Sequence, residues 1–167
     1  MKKINILKAI VDLLWIFSMP VILIIVGFSF AVFFIDIGDL NIEINSINFD
    51  QNVLSSKILF IISTLNYLFI IAALYFFREI LNNFIRIKIF ERTVIIGFKK
   101  IGNLLIVSGL ISLIISIIGT VYFKQKVSIS FGLNEYLVII CLGLFFLVLS
   151  EIFKIAKYAK QENDLTI

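Results

Sequence analysis

Histidine is absent from the 167-residue sequence, and Cys141 is the only cysteine. Zinc and other transition-metal sites in proteins are built mainly from these two residue types, and a disulfide needs two cysteines. The composition therefore excludes a disulfide framework and the usual His/Cys metal sites. The sequence also lacks a nucleotide-binding loop, a nucleophile elbow and a zinc-protease motif. We expect a protein that is not an enzyme and has no catalytic residues, no metal and no cofactor.

Charged residues are scarce at 16%, whereas hydrophobic residues make up 61% of the chain. Soluble domains are about 45–50% apolar, so this composition favours a bilayer as solvent. We predict an all-α bundle of four transmembrane helices, forming one membrane domain over residues 1–167. The first apolar run is too long for a signal peptide core, so we interpret it as an uncleaved span. The predicted spans are residues 13–35, 58–77, 101–123 and 136–153.

The basic residues predict which way round the chain crosses the membrane. If the spans alternate in direction, twelve Lys and Arg residues fall on one side and three on the other. Short cytoplasmic loops carry an excess of Lys and Arg, so the side with twelve is cytoplasmic. Both chain termini and residues 78–100 are then cytoplasmic. The three remaining basic residues belong to the two outer loops and are Lys57, Lys124 and Lys126.

Two segments of the outer loops alternate apolar and polar residues. They are residues 40–44 and 126–133, and a period of two predicts a β-strand. We expect a small extracytoplasmic β element formed by the two outer loops, with residues 48–50 extending the first strand after a turn. The alternative is that both segments are partly submerged loops in which the alternation arises by chance.

The stretch between the second and third spans, residues 78–100, has six basic and two acidic residues. Apolar residues at helical spacing continue both spans into it, which predicts a cytoplasmic helical hairpin. Its charge suits anionic lipids at the cytoplasmic face or a docking protein. We expect no direct nucleic-acid binding, because the charge is modest and close to the membrane. The predicted docking residues of the turn are Arg86, Lys88, Phe90 and Arg92.

The third span carries a stripe of hydroxyl side chains spaced four residues apart: Ser108, Ser112, Ser116 and Thr120. Small residues at this spacing share a helix face and let another helix approach closely. Asn66 of the second span lies at a similar depth and needs a hydrogen-bond partner in lipid. We predict a packing seam between these two spans, flanked by Gly109. The alternative is a polar pathway for an ion or small solute.

Two carboxylates, Asp12 and Glu151, lie at the cytoplasmic ends of the first and fourth spans. Lys8 precedes Asp12 by four residues and Lys154 follows Glu151 by three, and these spacings favour ion pairs within a helix. Local ion pairs are therefore one interpretation. The other interpretation is a functional pair of carboxylates, because charged groups close to the hydrocarbon layer are costly unless they serve a function.

A family resemblance rests on the end and the centre of the chain. Residues 151–153 read Glu-Ile-Phe, and the chain ends with Glu162, Asn163, Asp164, Leu165, Thr166 and Ile167. In the centre, Phe77 ends a span before the basic turn, and Phe90 is followed by a Lys-Lys-Ile-Gly sequence. With these segments the chain resembles the bacterial membrane family called domain of unknown function 2975. The small turn residues usual in that family are replaced here by residues 86–89.

The resemblance implies a bacterial cytoplasmic membrane protein without an established activity. Genes of this family often adjoin one for a small helix-turn-helix protein, which implies a cytosolic transcriptional regulator as partner. Residues 162–167 either fray, as chain ends do by default, or dock onto the basic turn through Asp164 and the two apolar residues near the terminus. We expect the fourth helix to continue to about Gln161, with Asn163 ending it.

Three functions follow from these observations. We favour a regulatory or adaptor role, in which the cytoplasmic hairpin and residues 154–167 form one surface for a cytosolic regulator. The alternatives are a small transporter or channel component that uses the polar seam, and a structural membrane protein without a switch. Co-purification of a soluble regulator supports the first, and solute flux that is lost on bulky substitution at Ser112 supports the second.

Overall fold

The chain forms four long helices. The computed structural model describes residues 2–34, 42–44, 47–49, 54–120 and 134–165. All four helices are long and apolar enough to cross a membrane, which confirms the prediction of four apolar helices of membrane-spanning length. At 1.5 Å per residue they are roughly 40–50 Å long, so each exceeds the ~30 Å hydrocarbon layer. The helices are α1 (Lys2–Phe34), α2 (Leu54–Ile85), α3 (Arg92–Ile118) and α4 (Glu135–Leu165).

A short antiparallel hairpin lies between α1 and α2. Strand β1 (Ile42–Ile44) pairs with strand β2 (Ile47–Phe49) in the register that sets Ile44 opposite Ile47. The predicted β element formed by the two outer loops is not supported, because the described strands pair within one loop. Only two residues separate these strands, and so short a connection favours local pairing. The other predicted strand, residues 126–133, lies outside the described residues.

The helices pack in chain order, α1 on α2, α2 on α3 and α3 on α4. Neighbours are antiparallel: Arg78 near the end of α2 contacts Asp12 near the start of α1, and Ser150 of α4 contacts Ile95 near the start of α3. The start of α1, the α2–α3 turn and the end of α4 therefore lie at one end of the bundle. We call it the hairpin end, and we call the opposite end the loop end.

Many large apolar side chains face outward. Leu23 is 76% exposed, Phe34 is 78% exposed and Phe145 is 55% exposed. A soluble monomer rarely shows contiguous apolar patches of more than a few hundred Å², whereas lipid tails accept such a surface. The outward faces of the helices thus agree with a chain that crosses a membrane.

Glycines bring α3 and α4 into close contact. A Cβ atom added to Gly102 would lie 2.8 Å from the Gly143 carbonyl oxygen, and one added to Gly143 would lie 2.9 Å from the Gly102 carbonyl oxygen. One added to Gly109 would lie 2.5 Å from the Cγ1 atom of Ile140. The two backbones therefore approach as closely as glycine permits, which is how small residues stabilise helix pairs in lipid.

At the hairpin end, α2, α3 and α4 meet around Phe98. Its ring centroid lies 5.2 Å from that of Phe153, 6.0 Å from that of Phe146 and 6.2 Å from that of Phe84. We call these four residues the aromatic cluster. Buried apolar side chains adjoin it: Ala73, Ile80, Val94, Ile101 and Leu105. The hydrophobic core of the described bundle thus adjoins the hairpin turn.

Candidate functional site

The turn at residues 86–91 closes α2 with a Schellman motif. The Ile87 N–H donates to the Phe84 carbonyl at 3.1 Å, and the Lys88 N–H donates to the Asn83 carbonyl at 3.0 Å. This motif requires a left-handed residue, usually glycine, and here Ile87 has a φ of 60°. A β-branched residue in that conformation is strained by about 1–2 kcal/mol. The side chain of Ile87 is 68% exposed, so burial does not offset the strain.

Replacement of Ile87 by glycine is expected to raise the free energy of unfolding by about 1 kcal/mol, because glycine adopts positive φ without a Cβ clash. The readout is the apparent unfolding temperature in detergent, measured by size-exclusion chromatography after heating. Ile85→Gly is the matched control, since Ile85 is also exposed but lies within the last turn of α2. Glycine at position 85 is expected to lower the free energy of unfolding by about 0.5–1 kcal/mol, because it is a poor helix former. A loss of stability in both variants would contradict the strained turn.

Phe90 joins the turn to α4. Its ring centroid lies 6.4 Å from that of Phe153, and the Nζ atom of Lys160 lies 5.7 Å from the Phe90 centroid. The second distance is within the range of a cation–π interaction. The turn and the end of α4 therefore form one continuous surface. The predicted basic docking residues on this surface are all exposed: Arg86, Lys88 and Arg92.

Helix α4 runs on to Leu165, so the prediction that it ends near Gln161 is wrong. Residues 154–165 contain neither glycine nor proline and include two alanines, and therefore nothing in the sequence interrupts the helix. The exposed docking candidates on this part of the helix are Glu162, Asn163 and Asp164. The side chain of Leu165 and all of Thr166 and Ile167 lie outside the described residues. Their docking onto the turn stays a prediction.

The two interfacial carboxylates have different surroundings. Glu151 lies 3.5 Å from the Nζ atom of Lys154, and its side chain is 67% exposed. Asp12 lies 3.3 Å from the Nζ atom of Lys8, and its side chain is only 27% exposed. Both local ion pairs have the expected helical spacing. The two carboxylates belong to the first and last helices of the row, and no described residue pairs with both.

Arg78 is a further partner of Asp12 that the sequence did not identify as a site residue. Its Nε donates to the Asp12 carboxylate at 2.5 Å, which ties α1 to α2 next to the tilted ring pair of Trp15 and Tyr75. The sequence indicates this pair only through the depth of Arg78 and Asp12 along their spans. Arg78 follows the second apolar run directly and Asp12 precedes the first, so antiparallel helices place them at one level.

Reversing one charge of the Asp12–Arg78 pair is expected to lower the apparent unfolding temperature, because it replaces an attraction between α1 and α2 with a repulsion. Asp12→Arg and Arg78→Asp each place like charges at the contact, and the double variant should recover most of the loss. Apparent unfolding temperatures of all four proteins in detergent give the coupling between the two sites. Glu151→Arg is the control. Its ion pair with Lys154 lies within α4, so reversing this charge does not alter an ion pair between helices. Additive losses in the double variant would contradict a direct pair.

The hydroxyl stripe of α3 contacts α2 at mid-helix. Asn66 Nδ2 donates to Ser112 Oγ at 2.8 Å, which is the contact that their common depth predicts. The Thr120 hydroxyl instead donates to the carbonyl of Ser116 at 2.7 Å. Gly109, which we assigned to this seam, faces α4, because it lies about 100° around the helix from Ser108. The seam between α2 and α3 is thus formed by Asn66 and Ser112.

Ser108 marks where the polar seam stops. Its side chain is 0% exposed, and its Oγ has no hydrogen-bond partner among the described residues. Further towards the hairpin end, α3 buries only apolar side chains at this face, including Leu105, Ile101 and Phe98. A missed hydroxyl contact lies on the other side of α2, where Ser29 and Thr64 share a hydrogen bond of 2.7 Å. These contacts hold helices together and do not form a continuous polar path.

Groups able to hold a metal ion are not found in the parts of the chain that the structure covers. The structure instead brings together the Asn66–Ser112 pair, the Asp12–Arg78 pair and the surface around Phe90. Of the three, the surface around Phe90 presents the most exposed charge. We define this hairpin-end surface as residues 86–92 and 153–165, and it is the candidate functional site.

A family model matches the chain over residues 9–167, and the family is described as a protein of unknown function, DUF2975. This is the family that the chain resembles in residues 77–102 and 151–167 of its sequence. No curated protein and no solved structure matches the chain. The role of the hairpin-end surface is therefore inferred from its geometry and charge.

Proposed function

We propose a function for this chain, which belongs to the DUF2975 family of proteins of unknown function, from its hairpin-end surface. The chain has the four apolar helices of a multi-pass membrane protein. Its proposed role is that of a regulatory or adaptor partner for a cytosolic regulator of the helix-turn-helix type, which binds the hairpin-end surface. In this role the chain catalyses no reaction, binds no cofactor and leaves DNA binding to its partner.

The distribution of Lys and Arg supports a cytoplasmic position for this surface. The twelve basic residues that we assign to the cytoplasm lie in the turn or in the hairpin-end parts of the four helices, whereas Lys57 lies at the loop end. By the positive-inside rule, the hairpin end faces the cytosol of a bacterial cell, with both chain termini on that side. Lys99 and Lys100 are exposed close to the membrane and suit anionic lipid headgroups.

The observation that carries the proposal is the contact of Phe90 with Phe153 and Lys160. Through it, a change in how the helices pack alters the turn and the end of α4 together. A cue received in the membrane or at the loop end can in this way reach a bound regulator. Phe153 also belongs to the aromatic cluster around the buried Phe98, and it therefore connects this contact to the packed core.

The second function that the polar seam suggests is that of a transporter or channel component. The packing argues against it, because Leu105, Ile101 and Phe98 close the seam on the hairpin side of Ser108. A path for an ion also needs polar groups along its full length. We therefore place the adaptor role first.

Co-purification tests the adaptor role. The tagged chain is extracted from its native membrane with detergent, and the bound proteins are identified for the full chain and for a variant without residues 162–167. We expect a soluble DNA-binding regulator with the full chain and a clear loss of it with the shortened one. Identical sets of bound proteins would exclude the end of the chain as a docking element. Gly27→Ala is the control, since a Cβ added there meets nothing within 4 Å, and it should leave the bound regulator unchanged.

A further inference from the structure

Positive charge is concentrated around the hairpin turn. The hairpin-end surface, residues 86–92 and 153–165, contains six basic residues and three acidic residues. One of the acidic residues, Glu91, is paired with Lys88 at 3.0 Å. Lys157 and Lys160 follow Phe153 by four and seven residues, so they lie on the face of α4 that packs against the turn. The basic residues of the two segments thus adjoin one another and leave an excess of positive charge.

The distance of this charge from the bilayer favours a soluble partner over lipid headgroups. On each helix, the first charged residue between the middle of the span and the hairpin end marks the edge of the hydrocarbon layer. These four residues are Asp12, Arg78, Lys100 and Glu151. From Lys100 to Arg92, and from Glu151 to Lys160, each helix rises roughly 12–14 Å. The headgroup layer of one leaflet is only about 5–8 Å thick. The turn therefore projects past the headgroups into the cytosol.

The centre of this basic region is apolar. Ile87 is 68% exposed and Phe90 is 38% exposed, although both lie beyond the membrane. Ile87 also keeps a φ of 60°, where glycine would be unstrained. An exposed, strained, apolar side chain that lies between Arg86 and Lys88 in the turn fits a contact with another molecule better than it fits packing within this chain.

We propose that the partner contributes an acidic segment with apolar side chains, whose apolar residues cover Ile87 and Phe90 and whose carboxylates pair with Arg86, Arg92 and Lys160. This extends the adaptor role by naming the chemistry of its partner. Charge complementarity of this kind brings specificity and fast association, and the apolar centre supplies the contacts that slow dissociation.

A synthetic peptide of about 18 residues, five helical turns, with leucine on one face and glutamate elsewhere, is the probe. Its binding to the full chain in phosphatidylcholine nanodiscs is measured by fluorescence anisotropy. We expect Arg92→Glu and Lys160→Glu each to weaken binding about tenfold. Lys99→Glu is the matched control, because Lys99 shares the helix face of Arg92 but lies about 10 Å nearer the bilayer. A peptide with serine in place of leucine should bind about tenfold more weakly.

Ile87→Gly separates a role in binding from a role in folding. We expect it to weaken peptide binding about fivefold while the apparent unfolding temperature rises. Absence of binding, or an equal loss with Lys99→Glu, would overturn the assignment. So would binding of phosphatidylglycerol vesicles with the same dependence on Arg92 and Lys160, because the surface would then be a lipid site. If a regulator co-purifies independently of Arg92 and Ile87, the adaptor role stands and only the acidic segment is refuted.

Discussion

Phe98→Ala is expected to destabilise the protein by about 3–5 kcal/mol, because it leaves a cavity where three helices meet. Phe98 is 4% exposed and contacts the rings of Phe84, Phe146 and Phe153. The apparent unfolding temperature in detergent should fall by roughly 10 °C, since 1 kcal/mol corresponds to about 2–4 °C at this chain length. Phe98→Leu keeps most of the volume and should cost much less.

Phe145→Ala is the control for the aromatic cluster. Phe145 neighbours Phe146 in the sequence, but it is 55% exposed on the outward side of α4. Removing its ring leaves no cavity inside the bundle, so the unfolding temperature should change by at most a few degrees. Similar losses at Phe98 and Phe145 would mean that the hairpin end is not packed around Phe98.

Gly143→Ala is expected to cost about 2–3 kcal/mol, because the added methyl group meets backbone atoms of α3 that cannot rotate away. Its Cβ would lie 2.9 Å from the Gly102 carbonyl oxygen and 3.0 Å from the Ile106 nitrogen. The helices must separate to make room, and that loses the contacts that hold α3 to α4. The measurement is again the apparent unfolding temperature, with an expected fall of roughly 5–10 °C.

Gly27→Ala is the matched control for the glycine contact. Gly27 also lies within a helix, yet a Cβ added there meets nothing within 4 Å. Alanine is the better helix former by about 1 kcal/mol, so this variant should be as stable as the parent or slightly more stable. If both glycine variants lost equal stability, the close approach of α3 and α4 would be contradicted.

Features that depend on one helix or on depth could be predicted from the sequence. The four helices follow from the length of the apolar runs, and the Asn66–Ser112 contact follows from counting residues along two antiparallel spans. The extension of α2 and α3 into a hairpin follows from apolar residues at helical spacing. Each inference needs only the periodicity of the chain and the thickness of the membrane.

Features that depend on which helix faces which could not be predicted in the same way. In lipid, the inward and outward sides of a helix are similarly apolar, so hydropathy does not reveal its neighbour. Gly109 was therefore assigned to the α2 side, whereas it faces Ile140 of α4. The β element joining the two outer loops is not supported for a related reason, since alternation identifies strand residues but not their partner. The left-handed Ile87 had no signal in the sequence, because glycine is the residue that usually marks such a turn.

Photo-crosslinking in living cells tests most directly whether a cytosolic regulator binds the hairpin-end surface. Benzoyl-phenylalanine is placed at Lys88 or at Gln161, both exposed on this surface, and at Leu54, which is exposed at the loop end. We predict that the first two positions form an adduct with the same soluble DNA-binding protein, identified by mass spectrometry, and that Leu54 does not. No protein adduct at Lys88 and Gln161, or the same adduct at all three positions, would contradict the adaptor role.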